Sequence, residues 1–134
     1  MTLKQEDRES LIKYRTEQAE DAIEDAQILM GKDRLKAAVS RIYYAVYYIV
    51  FALALKYKFK GTKHLPLIAW FDKKFVETNV VDSKYGEMYR EAFKKRSEAD
   101  YGTFIKFTKE QVLDLFDQMM KFVERIKQLL DSKD

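Results

Sequence analysis

Apolar side chains recur along this chain at the three- and four-residue spacing of helices, in five successive segments that no Pro- or Ser-rich linker separates. The first reads from about Glu6 to Met30: Ile12, Ala19, Ile23, Ala26 and Met30 form one stripe, while Glu17, Glu20, Asp21 and Glu24 face away from it. Gly31 is the expected stop. Asp33 is the expected cap of a second helix reaching about Lys58, and Gly61 with Thr62 makes the next break. A third helix covers roughly Lys63 to Thr78, with Pro66 tolerated because it falls in the first turn. Asp82 caps a fourth helix ending near Asp100, and Gly102 follows it. Thr103 to Phe107 reads as a loop with some β character. Thr108 and Gln111 then have capping-box spacing ahead of a last helix whose stripe is Val112, Phe116, Met119, Val123, Ile126 and Leu130. The pattern predicts an all-α, antiparallel up-and-down bundle of about five helices. With 134 residues the chain is one domain over 1–134.

The second helix breaks the amphipathic rule. Placed at about 100° per residue, Ile42 to Leu55 leaves no polar face, so this helix has to be covered on all sides. Leu35, Val39, Ile42, Val46, Ile49 and Leu53 form an aliphatic half, and Tyr43, Tyr44, Tyr47, Tyr48, Phe51 and Leu55 an aromatic half. A five-helix monomer can bury the first. The second points to a homodimer interface through Tyr43, Tyr44, Tyr47, Tyr48 and Phe51, unless the other helices enclose it within one chain. At fourteen residues the apolar run is shorter than the roughly 20 that cross a bilayer, so no membrane partner is expected. The opening MTLKQEDRES carries five charges and no apolar run, which predicts a cytoplasmic protein without a signal peptide.

Composition removes whole classes of chemistry. There is no Cys and one His, His64, which excludes disulfides, zinc fingers, thiol nucleophiles and paired Glu-x-x-His di-iron motifs. Four glycines, at 31, 61, 86 and 102, are too dispersed for a Gly-rich phosphate loop. No metal site and no cofactor is expected. Net charge is only +3, but residues 1–34 carry six basic and nine acidic side chains, and residues 35–78 eight and two. The basic excess in the middle of the chain permits an anionic partner.

The fourth helix holds the most informative departure. Its stripe of Tyr85, Met88, Tyr89, Ala92 and Phe93, extended by one turn, lands on Arg96. A guanidinium projecting from an apolar face needs acceptors, and Asp100 or tyrosine hydroxyls of the second helix can supply them. Two readings follow: a structural ion pair, or an anion site at a cleft. In the second, Arg96, Asp100 and Tyr101 form one polar site that holds a phosphate, with Tyr101 able to donate a hydrogen bond. Elsewhere, Lys56, Lys58, Lys60 and Lys63 alternate with Tyr57 and Phe59 without an acid. That interleaving suits RNA contact, or else a solvated helix end with the rings packed inward. His64, at the start of the third helix, is expected at the surface or in a cap rather than in catalysis.

Three strings carry a family resemblance. Ser40-Arg41-Ile42-Tyr43-Tyr44-Ala45-Val46-Tyr47-Tyr48, Trp70-Phe71-Asp72-Lys73-Lys74-Phe75-Val76 and Arg96-Ser97-Glu98-Ala99-Asp100-Tyr101-Gly102, in that order, resemble the small stand-alone branch of the HEPN domains. The resemblance implies an antiparallel bundle, a dimer, and work beside a small nucleotidyltransferase of the MNT type in a toxin–antitoxin pair, with RNA or a nucleotide as ligand. Family members that cut RNA carry an Arg, four to six residues, then His. Arg96 matches the Arg, whereas positions 101 to 103 hold Tyr101, Gly102 and Thr103. A tyrosine with pKa about 10 is a poor base near neutrality, so a binding and regulatory module is the expectation. An atypical metal-independent endoribonuclease using Arg96 and Tyr101 is the alternative.

Overall fold

A computed structural model describes residues 3–102 and 104–133. Five helices follow in order: α1 (Gln5–Gly31), α2 (Leu35–Lys56), α3 (His64–Phe71), which runs on into a π-helical turn over Asp72–Val76, α4 (Ser83–Tyr101) and α5 (Lys109–Asp131). No strand occurs among the described residues. The expected β character after Gly102 is absent from 104–107, and Thr103 lies outside the described residues.

The bundle is organised around α2. Its residues Ala38, Val39, Ile42, Val46, Ile49 and Leu53 are buried, and α1, α3, α4 and α5 all pack on it. Lys36 near its start donates to Gly102 O at the end of α4, while Lys56 at its end donates to Leu129 O near the end of α5. So α2 runs antiparallel to α4 and parallel to α5, the up-and-down arrangement that short connections impose. By length and composition alone α2 is long and apolar enough to span a membrane. Eleven of its 22 residues are instead buried against other helices, as in the core helix of a bundle.

Two helices end on left-handed residues other than glycine. Gly31 is the last residue of α1, and the left-handed position beyond it is Asp33, φ 56°. Arg34 N donates to Leu29 O (2.9 Å) and Asp33 N to Met30 O (3.1 Å), a Schellman closure with Asp in the place usually taken by Gly. Asp33 therefore does not cap α2. Its carboxylate instead pairs with Lys109 at the start of α5, 3.1 Å away. The end of α2 repeats the device: Lys58 has φ 62°, and Phe59 N donates to Ala54 O. That helix stops at Lys56, before Gly61. At α4 and α5 the caps are as expected. Asp82 accepts from Lys84 N at 2.9 Å, and Thr108 and Gln111 form the reciprocal capping box.

The π-helical turn, closed by Glu77 N donating to Asp72 O, carries Asp72 against α4, where it pairs with Arg90 at 2.5 Å. Close approach is possible because the α4 residue beneath is Gly86. A Cβ there would stand 2.7 Å from Asp72 Oδ1 and 3.0 Å from Val76 Cγ2.

Candidate functional site

Arg96 does leave the apolar stripe of α4 as its spacing requires. Met88, Tyr89 and Ala92 are buried below it, and the Arg96 side chain is 17% exposed. Both expected acceptors are present. Nε lies 2.8 Å from Asp100 Oδ2, an ion pair although the N–H points off that line, and Nη2 donates to Tyr44 Oη at 3.0 Å. The guanidinium also lies 5.4 Å from the Tyr44 ring centre and 5.8 Å from that of Tyr43, within cation–π range. Arg41 stands 4.9 Å from the same Tyr44 ring, so two positive charges share it. Of the five N–H donors of Arg96, only one on Nη2 makes a hydrogen bond among the described residues; Nε is held by the charge of Asp100, and two on Nη1 and the second on Nη2 face neither partner.

His64 reaches this cluster, against the expectation of a surface or capping role. Its Nδ1 is 2.5 Å from Tyr43 Oη, and its ring centre lies 4.6 Å from that of Tyr47 and 6.1 Å from Phe93. Burial, with the Arg96 charge second, holds the imidazole below its ordinary pKa of 6.5. It is therefore neutral at neutral pH. Burial also pushes the Tyr43 hydroxyl up, with Arg96 partly opposing, and raises Tyr47, so both phenols stay protonated. Sequence spacing gave no hint of this contact. The connection 57–63 turns back at Tyr57 and Lys58 and carries His64 up the side of α2 to Tyr43.

Tyr101 stands elsewhere. It is 79% exposed and makes no hydrogen bond to Arg96 or Asp100, so the three-residue site reduces to Arg96 and Asp100 with Tyr44 and His64. Position 102 is closed to a side chain: a Cβ on Gly102 would come 2.6 Å from Glu98 O. Thr103 lies outside the described residues. Ser97 is tied to its own helix, donating to Phe93 O.

The aromatic half of α2 divides. Tyr43 is fully buried inside the chain, so it cannot meet a second subunit directly, whereas Tyr44, Tyr47, Tyr48 and Phe51 remain half-exposed in one connected ladder. The lysine segment divides too. Lys56 spends its ammonium on the end of α5, donating to Leu129 O (2.7 Å), Leu130 O and Ser132 O, where the last carbonyls of a helix run out of intrahelical N–H donors. It is removed from the expected RNA contacts. Tyr57 packs edge-on against Phe75, and Phe59 stacks on Trp70 at 5.1 Å. The rings are turned inward, and only Lys58, Lys60 and Lys63 stay exposed.

With this geometry in place, comparison with known proteins is decisive for the family. The HEPN domain profile matches residues 12–129. The chain belongs to the HEPN domain family. It is 34% identical over 126 residues to a "UPF0332 protein" of Thermotoga maritima, covering 94% of this chain and 96% of that one. Two Methanocaldococcus jannaschii proteins bearing the name "Putative toxin" are 35% and 32% identical over 117 and 112 residues, covering 87% and 84% of this chain and 80% and 83% of theirs. The HEPN resemblance read from the three sequence strings is thereby established, and with it a helical bundle of that type.

Proposed function

We propose that this HEPN chain acts as a homodimer in a toxin–antitoxin type module, binding the phosphate of RNA or a nucleotide at Arg96, with a small MNT-type nucleotidyltransferase as its partner. The observation that carries the reading is the state of Arg96. One carboxylate and one phenol fix its orientation, and three donors remain for an anion, the preorganisation that bidentate phosphate recognition needs. The half-exposed ladder Tyr44, Tyr47, Tyr48 and Phe51 supports dimerisation beside that site. The names of the archaeal relatives support the toxin-type setting. Exposed Tyr101 is accessible to a partner enzyme as an acceptor hydroxyl.

One observation favours a second reading, a metal-independent endoribonuclease: a neutral imidazole sits in the Arg96 cluster. In that reading His64, rather than Tyr101, takes the proton of the attacking 2′-hydroxyl and returns it to the leaving 5′-oxygen as the P–O5′ bond breaks and a 2′,3′-cyclic phosphate forms, while Arg96 stabilises the phosphorane charge. One experiment addresses both. Pure wild-type, Arg96→Lys and His64→Gln proteins are incubated with total RNA in EDTA, and RNA affinity and melting temperature are measured on the same samples. The binding reading expects Arg96→Lys to lose about tenfold or more in affinity with little loss of stability and no cleavage in any sample. Cleavage by wild type that both variants lose establishes the second reading. Unchanged binding with a large drop in melting temperature would reduce Arg96 to a structural ion-pair partner.

A further inference from the structure

A second pair of arginines lies away from Arg96, and it has no carboxylate. Arg8, on the second turn of α1, is 7% exposed and is the one buried charged residue among those described. Its Nη1 donates to Leu55 O at 3.0 Å, near the end of α2, while its Nε is buried without a partner. Two turns on, Arg15 donates from Nη1 to Gln18 Oε1 at 2.7 Å, and its Nε too is buried and unpartnered. The Arg15 guanidinium lies 4.2 Å from the Phe51 ring centre. No Asp or Glu among the described residues forms an ion pair with either.

Both arginines line a cavity of about 410 Å³ enclosed by α1, the end of α2 and the 57–63 loop. Its other walls are apolar, chiefly Leu11, Phe51, Leu55 and Phe59, and the exposed Lys58 and Lys60 border it. Four basic side chains and no acid line it. A buried guanidinium whose only acceptors are a helix-end carbonyl and an amide keeps most of its desolvation cost, and a bound anion would offset it. The cations exclude a metal ion. The apolar walls and the volume, within the range of drug-sized ligand sites, disfavour a threaded polynucleotide.

We infer that this cavity is a binding site for a small organic anion with an apolar body, its anionic group met by Arg8 and Arg15 and its body lying against Phe51, Leu55 and Phe59. The site is separate from Arg96 and does not rest on phosphate binding there; it shares only Phe51 with the ladder proposed for dimerisation. The charge requirement comes from the unpaired guanidinium groups, and the body requirement from the walls.

The test is calorimetric titration of the full chain with 1-naphthoate, its neutral counterpart 1-naphthamide, and adenosine monophosphate as an anion with a polar body. The expectation is one naphthoate per chain, bound about tenfold or more tighter than the amide, with Arg8→Met and Arg15→Met each weakening it by about tenfold or more. Naphthoate should raise the melting temperature of wild type but not of Arg15→Met, a readout that survives even if Arg8→Met folds poorly. Arg96→Lys should bind naphthoate as wild type does, so this site and the Arg96 reading can fail separately. Equal affinity for acid and amide, unchanged binding in Arg15→Met, or adenosine monophosphate bound in this cavity as tightly as naphthoate would each overturn the proposal.

Discussion

Arg96 and the Arg8–Arg15 pair are both guanidinium groups brought out of water beside α2, and they are compensated in opposite ways. Arg96 has its carboxylate one turn away on the same helix and a phenol across the groove. Arg8 and Arg15 have a carbonyl, a side-chain amide and an aromatic face. A charge that carries its own counter-ion is stable when empty and offers only its spare donors to a ligand. A charge without one keeps more of its desolvation cost, which an incoming anion would offset. The difference teaches that buried arginines should be sorted by what remains unsatisfied, because exposure alone would place both kinds together.

The comparison is sharpened most strongly by truncating the ring beneath each site. Tyr43 is fully buried and carries contacts to Tyr44, Tyr47, Phe93 and His64, so Tyr43→Ala should cost about 3–5 kcal/mol of folding stability. Phe51, half-buried on the wall of the Arg8–Arg15 cavity, should cost about half as much or less when cut to Ala, because less of its ring leaves water on folding. Urea denaturation of the two variants measures both. Equal losses would mean that the wall of the Arg8–Arg15 cavity is as much a part of the core as Tyr43.

Removing charge partners gives the next effect in size. Asp100→Asn leaves Arg96 without its carboxylate, but the Asp100 side chain is 31% exposed and water compensates in part, so the expected loss is about 1–2 kcal/mol. Arg15→Met keeps the apolar stem over Phe51 and removes an unpaired charge. Its stability should change by under about 1 kcal/mol or rise. If Arg15→Met proves the more damaging of the two, the contrast between self-compensated and uncompensated arginines collapses.

What the sequence could show follows from how local each feature is. The helices, the Asp82 and Thr108 caps and the Arg96–Asp100 pair all lie within one or two turns, where periodicity and i, i+4 geometry reach. The same reasoning had a signal for the second site: the buried face of α1, Ala19, Ala22 and Ala26, extends backward by four and then seven residues to Arg15 and Arg8. Reading the stripe as Ile12, Ala19, Ile23, Ala26 and Met30 passed over it. Lys56 on the end of α5, 73 residues away, and His64 on Tyr43 depend on loop paths that no local pattern encodes. Asp33 and Lys58 in left-handed positions defeated the glycine rule because the Schellman closures, rather than the residue preference, decide where those helices stop.

The smallest effect is in pH, and it separates the two regions by chemistry. His64 is the only imidazole of the chain, and it belongs to the Arg96 cluster, while no His, Asp or Glu lines the Arg8–Arg15 cavity. Burial, reinforced by Arg96, lowers the folded-state pKa of His64 below 6.5, so below that pH the unfolded chain binds the proton more readily than the folded one. The contribution of neutral His64 to stability is therefore fully present above about pH 6.5 and is lost progressively as pH falls toward the lowered folded value. Denaturation midpoints at pH 7.5 and 5.5 should show a larger drop for wild type than for His64→Gln, which retains only the carboxylate titrations common to both proteins. Naphthoate affinity over the same interval should stay level, because its carboxylate and both arginines keep their charges. A wild-type drop no larger than that of His64→Gln would mean that His64 is hydrated and removed from the field of Arg96, and the neutral imidazole on which the ribonuclease reading depends would lose its physical basis.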